Sequence, residues 1–262
     1  MPSPAALHAI IFDVDGTLAE TERDGHRRAF NQAFGDLGLD WHWDEDLYGE
    51  LLAVTGGKER ILHFIERHSP PLPGAREPTV LARDIHACKT AHFVKLVEEG
   101  AISLRPGVKR LIAQARARNI TLAIATTTTL DNVTALLRST LGEDSPGWFA
   151  AIGAGDMVRA KKPAPDIYFY VLDKLGLLAG NCIALEDSRN GLRASLAAEL
   201  PTVITVSSYT RDEDFSGAAL VASDLGEPAA PAQALRGKLN ESGIIDVALL
   251  ERILSGARQA TG

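Results

Sequence analysis

Cysteine is scarce: Cys88 and Cys182 are the only two in 262 residues. That is too few for the disulfide framework of a small secreted domain, and far too few for a cysteine-built zinc site. Both are expected to be buried, inert thiols. Positive charge is also short, with 27 Lys and Arg against 34 Asp and Glu and a formal charge of −7. Nucleic acid and anionic membranes are gripped through clustered Lys and Arg, so neither is expected as a partner, whereas a small anion needs only a few local cations. No apolar run approaches the ~20 residues that span a bilayer, and the first residues lack the basic region and long apolar segment of a secretory signal. The expected compartment is the cytoplasm, or a plastid stroma if a transit peptide has been removed.

What is present is ordinary for a folded globular protein: 45% hydrophobic and 23% charged residues. Short apolar runs at 8–15, 121–127, 150–157, 181–187, 201–208 and 219–224 read as buried strands. Between the later runs lie segments apolar at helical spacing, such as Val108, Leu111, Ile112 and Ala115, or Ile167, Tyr170, Val171 and Leu175. Strands alternating with helices predict an α/β fold with a doubly wound, Rossmann-like parallel sheet. Residues 20–103 break that rhythm. They carry helical patterns (Ala29, Phe30, Ala33, Phe34, Leu37; Ile61, Phe64, Ile65), a Pro-rich loop at 69–78, and six of the seven histidines. This predicts a helical domain, 20–103, inserted into a core built from 1–19 and 104–262. A helix around 244–254 is expected to pack on that core, and a monomer is expected.

Four strand ends carry the chemistry. The first run ends in Asp13-Val14-Asp15-Gly16, and residues two apart on a strand face the same way, so Asp13 and Asp15 converge. The second ends in Thr126-Thr127-Thr128-Thr129, the third leads to Lys161-Lys162-Pro163, and the fourth ends in Glu186-Asp187-Ser188. Singly, each has a plain explanation: Asp-Gly as a turn, a threonine or serine as a helix cap, a lysine as a solvated loop charge. Together they bring an acid pair, hydroxyls, a lysine and a second acid pair to the edge where parallel sheets bind ligands. Such a set suits Mg²⁺, which prefers oxygen ligands, and a phosphoryl group whose charge the lysine and threonine would neutralise.

These motifs, in this order and spanning the whole chain, resemble the haloacid dehalogenase superfamily of phosphatases and phosphomutases. The resemblance implies that Asp13 attacks phosphorus to form an aspartyl phosphate and that Asp15 first protonates the leaving alkoxide, then takes a proton from water. It implies Mg²⁺ held by Asp13, the backbone carbonyl of Asp15 and Asp187, with Glu186 nearby, and a phosphoryl group bound by Thr126 and Lys162. Acid work by Asp15 near neutral pH requires a raised pKa in the complex. The inserted segment resembles the small helical cap of the β-phosphoglucomutase-like branch, which closes over the site and selects the substrate.

Within that segment, Thr55-Gly56-Gly57-Lys58-Glu59-Arg60 offers glycines for close approach and two cations. It is not a Walker A loop, because Leu52 and Glu59 stand where a glycine and a Ser or Thr are required. Glu22, His26, His86, Lys89 and Thr127 are further candidates for substrate contact, although a histidine on an amphipathic helix is more often a surface or satisfied core residue. The glutamate-bearing first motif, together with Gly-Gly-Lys-Glu-Arg and Ala-Thr-Thr-Thr, resembles CbbY-type members of the branch. That group is associated with Rubisco and the Calvin cycle, and dephosphorylates xylulose 1,5-bisphosphate. The expected function is therefore Mg-dependent hydrolysis of a sugar (bis)phosphate, with one phosphate at Lys162 and the other at Lys58 and Arg60. A sugar phosphomutase is the alternative that the catalytic motifs do not separate. A phosphorylated signalling receiver fits less well, because it lacks the insertion and the Asp-x-Asp pair.

Overall fold

The computed structural model describes residues 6–259 except 73 and 75. The outermost residues of the predicted core segments, and Pro73 and Ala75 of the Pro-rich loop, lie outside the described residues. Strands β1 (Ala9–Phe12), β2 (Thr121–Ala125), β3 (Phe149–Gly153), β4 (Cys182–Glu186), β5 (Thr202–Thr205), β6 (Leu220–Ala222) and β7 (Ala234–Arg236) form one sheet, ordered β3-β2-β1-β4-β5-β6-β7. Every neighbouring pair is parallel except β6 with β7. Strand β1, which leads to Asp13, thus lies between β2 and β4, which lead to the threonines and the second acid pair.

Both faces of the sheet are covered, which is why the strands read as continuous apolar runs and do not alternate. Ile10 and Phe12 pack into a cluster with Leu111 and Ile112 of α5 (Val108–Ala117), Leu136 of α6 (Leu130–Leu141) and Leu250 of α9 (Val247–Gln259). Ala9 and Ile11 point the opposite way, towards Ile167 and Val171 of α7 (Asp166–Leu175) and Ala194 of α8 (Arg189–Ala197). The strands are shorter than the runs predicted, because the polar residues at their carboxyl ends leave the ladder. Strand β7 was not anticipated: all three residues are exposed and give no apolar signal.

The inserted segment is helical, with α1 (Arg27–Asp36), α2 (Glu45–Leu51), α3 (Gly57–His68) and α4 (Pro78–Glu98) approached by a π-helical turn at Glu22–His26, and we refer to it as the cap for its place between β1 and α5. Phe30, Phe34, Trp43, Tyr48, Ile61 and Ile85 form its own buried cluster. Trp43 lies between Phe30 and Phe34, with ring centroids 4.7 and 4.9 Å away. The chain enters and leaves the cap side by side. Ala19 bridges Leu104 antiparallel, and Arg105 N–H donates to Leu18 O at 2.9 Å. Cys182 is buried as expected, but Cys88 is only half-buried, because α4 turns it towards exposed Asp36 at the end of α1. Among the described residues, no helix is long and apolar enough to cross a membrane.

Candidate active site

At the carboxyl edge of the sheet, Asp13, Asp15, Thr127, Lys162 and Asp187 meet Glu22 and Arg60 of the cap around a crevice of about 300 Å³. Lys162 is its centre of charge. The buried ammonium donates to Asp13 Oδ1 at 2.7 Å, Glu186 Oε1 at 2.5 Å and Ala125 O at 2.8 Å. Burial alone would lower its pKa, but the two carboxylates outweigh that and hold it above its ordinary value. Glu186 Oε1 also accepts the Tyr168 hydroxyl at 2.5 Å, which leaves Glu186 Oε2 buried without a partner.

Asp13, Glu186 and Asp187 each offer a carboxylate oxygen within 4.8 Å of the others, and all three are buried. Burial pushes the Asp13 and Asp187 carboxyls well up, and their acidic neighbours add to it; only at Asp13 does Lys162 oppose the rise directly. Three crowded acids against one lysine, with one orphaned oxygen, make an all-oxygen donor set that fits a hard divalent cation. Gly16 lets Asp187 approach: its φ is +83°, and a Cβ there would lie 2.1 Å from Asp187 Oδ2.

The Asp15 side chain belongs to a different network. Its Oδ1 accepts the Thr21 hydroxyl at 2.6 Å and faces His26 Nε2 at 2.9 Å, while His26 Nδ1 lies 2.8 Å from Lys89 Nζ. Burial would raise the Asp15 carboxyl, yet His26, Thr21 and Lys89 outweigh it and bring it down to about 2. In this state Asp15 is an ionised base, the reverse of the raised pKa that acid work in the complex requires.

The remaining predicted residues divide. Glu22 accepts the Tyr48 hydroxyl at 2.5 Å, and Arg60 donates to that hydroxyl at 3.0 Å and to Leu51 O at 3.3 Å, so Arg60 reaches the crevice already bonded on one side. Gly56, Gly57 and His86 line a small recess beside His26 and Lys89. The His86 ring lies against Gly57, where a Cβ would be 2.6 Å from it. Burial and the nearby Lys89 and Lys58 lower His86 to about 4, so its ring is neutral. Lys58 does not join them. It pairs with Asp156 of the core at 3.1 Å and lines neither recess nor crevice, because that carboxylate across the cap boundary captures it. Thr126 is buried and its hydroxyl accepts the Thr128 N–H at 3.3 Å, while its neighbour Thr127 lines the crevice. Thr129 caps α6 through the Asn132 N–H.

The family described as haloacid dehalogenase-like hydrolase matches residues 7–199, well over half of the chain. The chain belongs to that family. Among relatives, the plasmid-encoded protein CbbY of Cupriavidus necator is 50% identical over 225 residues, 86% of this chain and 88% of its own. Among solved structures, CbbY from Rhodobacter sphaeroides in complex with phosphate is 49% identical with a TM-score of 0.78, covering 83% of this chain and 94% of that one. A variant of the same protein in complex with xylulose-(1,5)bisphosphate has a TM-score of 0.79 at 49% identity, covering 85% and 96%.

This haloacid dehalogenase-like site also contains residues that the sequence reading missed. Thr21 and Tyr168 hold Asp15 and Glu186, and Tyr48 joins Glu22 to Arg60. Asn190, Tyr209 and Thr210 line the core side of the crevice, where Asn190 donates to Thr55 of the cap at 3.1 Å. Thr21 lies beside the first motif and Asn190 beside the fourth, which is a usable signal. Tyr209 sits in a polar stretch without periodicity and offers none.

Proposed function

We propose that this phosphatase hydrolyses a small sugar bisphosphate, with xylulose 1,5-bisphosphate as the first choice, through a phosphoryl group carried on Asp13. The observation that carries the reading is the pairing of Asp13 with buried Lys162, two residues from an Asp15 tethered to His26. The substrate choice rests on the xylulose-(1,5)bisphosphate complex of the 49% identical CbbY, together with a crevice that has Lys162 at one wall and Arg60 at another. Residues 20–103 act as the mobile cap, and 1–19 with 104–262 as the core.

In this reading Lys162 orients Asp13 Oδ1 and screens the charge of an incoming phosphate. An Asp13 oxygen attacks phosphorus as the bond to the sugar oxygen breaks, and the departing alkoxide takes a proton from Asp15. The His26 Nε2–H, already bonded to Asp15, supplies the proton that ionised Asp15 needs for this step, while Nδ1 takes one from the Lys89 ammonium; the relay runs back when Asp15 is next protonated. Asp15 then removes a proton from the water that attacks the phosphorylated Asp13, releasing phosphate and restoring the carboxylate. Asp13, Asp187 and the Asp15 carbonyl would hold Mg²⁺ with Glu186 beside them; when bound, the ion neutralises the clustered acids and the phosphate. Thr126 and Thr127 would bind phosphoryl oxygens, and Glu22, His26, Arg60, His86 and Lys89 would face the sugar from the cap side.

The test is phosphate release from a panel of sugar mono- and bisphosphates in Mg²⁺, with Asp13→Asn as the comparison. Release is expected to be strongest with the bisphosphate and to fall by at least about 10³-fold in the variant. Equal release by the variant refutes the nucleophile. Isomer formation with little free phosphate assigns a mutase instead.

A further inference from the structure

Helices α1 and α4 carry a second group of metal-ligating side chains, outside the crevice. Asp36 ends α1, and Cys88 and His92 stand four residues apart on α4 and so share one face. His92 Nε2 lies 2.7 Å from Asp36 Oδ2, and Cys88 Sγ lies 3.9 Å from the same oxygen. One donor atom from each residue falls within 4.8 Å of the other two. Asp36 is exposed and the other two are half-buried, so the group is open to ions from solvent. A bare His–Asp pair at such a surface contributes little to stability, and it does not account for the thiol turned towards the same carboxylate.

We propose that Asp36, Cys88 and His92 bind a thiophilic divalent cation, Zn²⁺ in the first instance, with water as the fourth ligand. The donor set is one sulfur, one imidazole nitrogen and one carboxylate oxygen, which selects zinc over the hard ions that suit the all-oxygen group at Asp13. Tetrahedral Zn–S and Zn–N or Zn–O bonds of about 2.3 and 2.0–2.1 Å place ligand atoms about 3.3–3.6 Å apart. The present spacing brackets that range, and side-chain rotation of exposed Asp36 opens the His–Asp contact. Binding displaces the Cys88 thiol proton to solvent and replaces the His92–Asp36 hydrogen bond with two metal bonds. The ion would tie the end of α1 to the middle of α4, the helix that carries Lys89.

Cobalt(II) reports this directly, since a thiolate ligand gives a charge-transfer absorption that oxygen ligands at the crevice do not. Cys182, the other cysteine, is fully buried in β4, so a thiolate signal belongs to Cys88. With the full chain in excess Mg²⁺, one equivalent of cobalt is expected to produce that band and zinc to displace it. Cys88→Ser should abolish the band while retaining phosphate release in Mg²⁺, and His92→Gln should weaken cobalt binding by at least about tenfold. Zinc should also raise the Tm of the parent protein and leave that of Cys88→Ser unchanged. Absence of the band in excess cobalt, or its persistence in Cys88→Ser, overturns the proposal.

Discussion

The Lys89 ammonium is buried over the rings of Phe30 and Phe93, 5.0 and 5.3 Å from their centroids, and touches His26 Nδ1. Burial lowers its pKa to about 8 against the opposing pull of Asp15 and Glu22. An ammonium has no lone pair, so while charged it must donate to Nδ1, and the His26 proton is then fixed on Nε2, facing Asp15. Above pH 8 Lys89 becomes neutral and that tautomer is no longer enforced. We therefore expect kcat to fall on the alkaline side with a midpoint near 8. Lys89→Arg, which keeps its charge, should move that limb upward. A pH–rate profile checks both, and an unmoved limb in the variant would sink the relay.

Between elements, Arg105 ties several segments together where the chain returns from the cap. Its buried guanidinium donates to Thr205 O at 2.9 Å, Val206 O at 2.6 Å, Ser223 O at 2.8 Å and Gly16 O. It thus joins the ends of β5 and β6 to the loop after β1 that holds Asp13 and Asp15. Arg105→Met keeps the bulk but strands those carbonyls, and unpaired buried acceptors cost about 1–3 kcal/mol each. A loss of at least about 3 kcal/mol is expected in urea unfolding. A loss below about 1 kcal/mol would mean that water replaces the guanidinium. Nothing in the sequence marked this residue beyond its place before Pro106-Gly107, because its partners are backbone carbonyls contributed by distant segments.

Across the whole molecule, cap and core meet through exposed charge as well as through the crevice. Lys58 pairs with Asp156, and Lys161 with Glu59 at 2.9 Å and Asp156 at 3.4 Å. Single exposed pairs contribute little, but four charges sharing partners hold the start of α3 against the loop after β3. Asp156→Lys sets three cations together and should raise KM about two- to fivefold with a smaller effect on kcat. Steady-state kinetics in low and high salt test this, since screening should shrink the difference. The same contacts mark what the sequence could and could not convey. Asp13, Asp15 and Asp187 were legible because charge at the end of an apolar strand needs a reason, and Lys162, in the loop after β3, only through its company with them. The partner of Lys58 lies 98 residues away, so Gly-Gly-Lys alone could not say whether that cation faced substrate or carboxylate. The sheet was legible for the same reason as its motifs, whereas β7 and the turn at Glu22–His26 carry no apolar periodicity.

The antiparallel bridge between Ala19 and Leu104 has a wider meaning. To the sheet, everything between those two residues is one excursion that departs and returns at a single doorway. Closing a longer excursion costs only logarithmically more chain entropy. The scaffold can therefore trade one covering for another of different size without altering how its strands find each other.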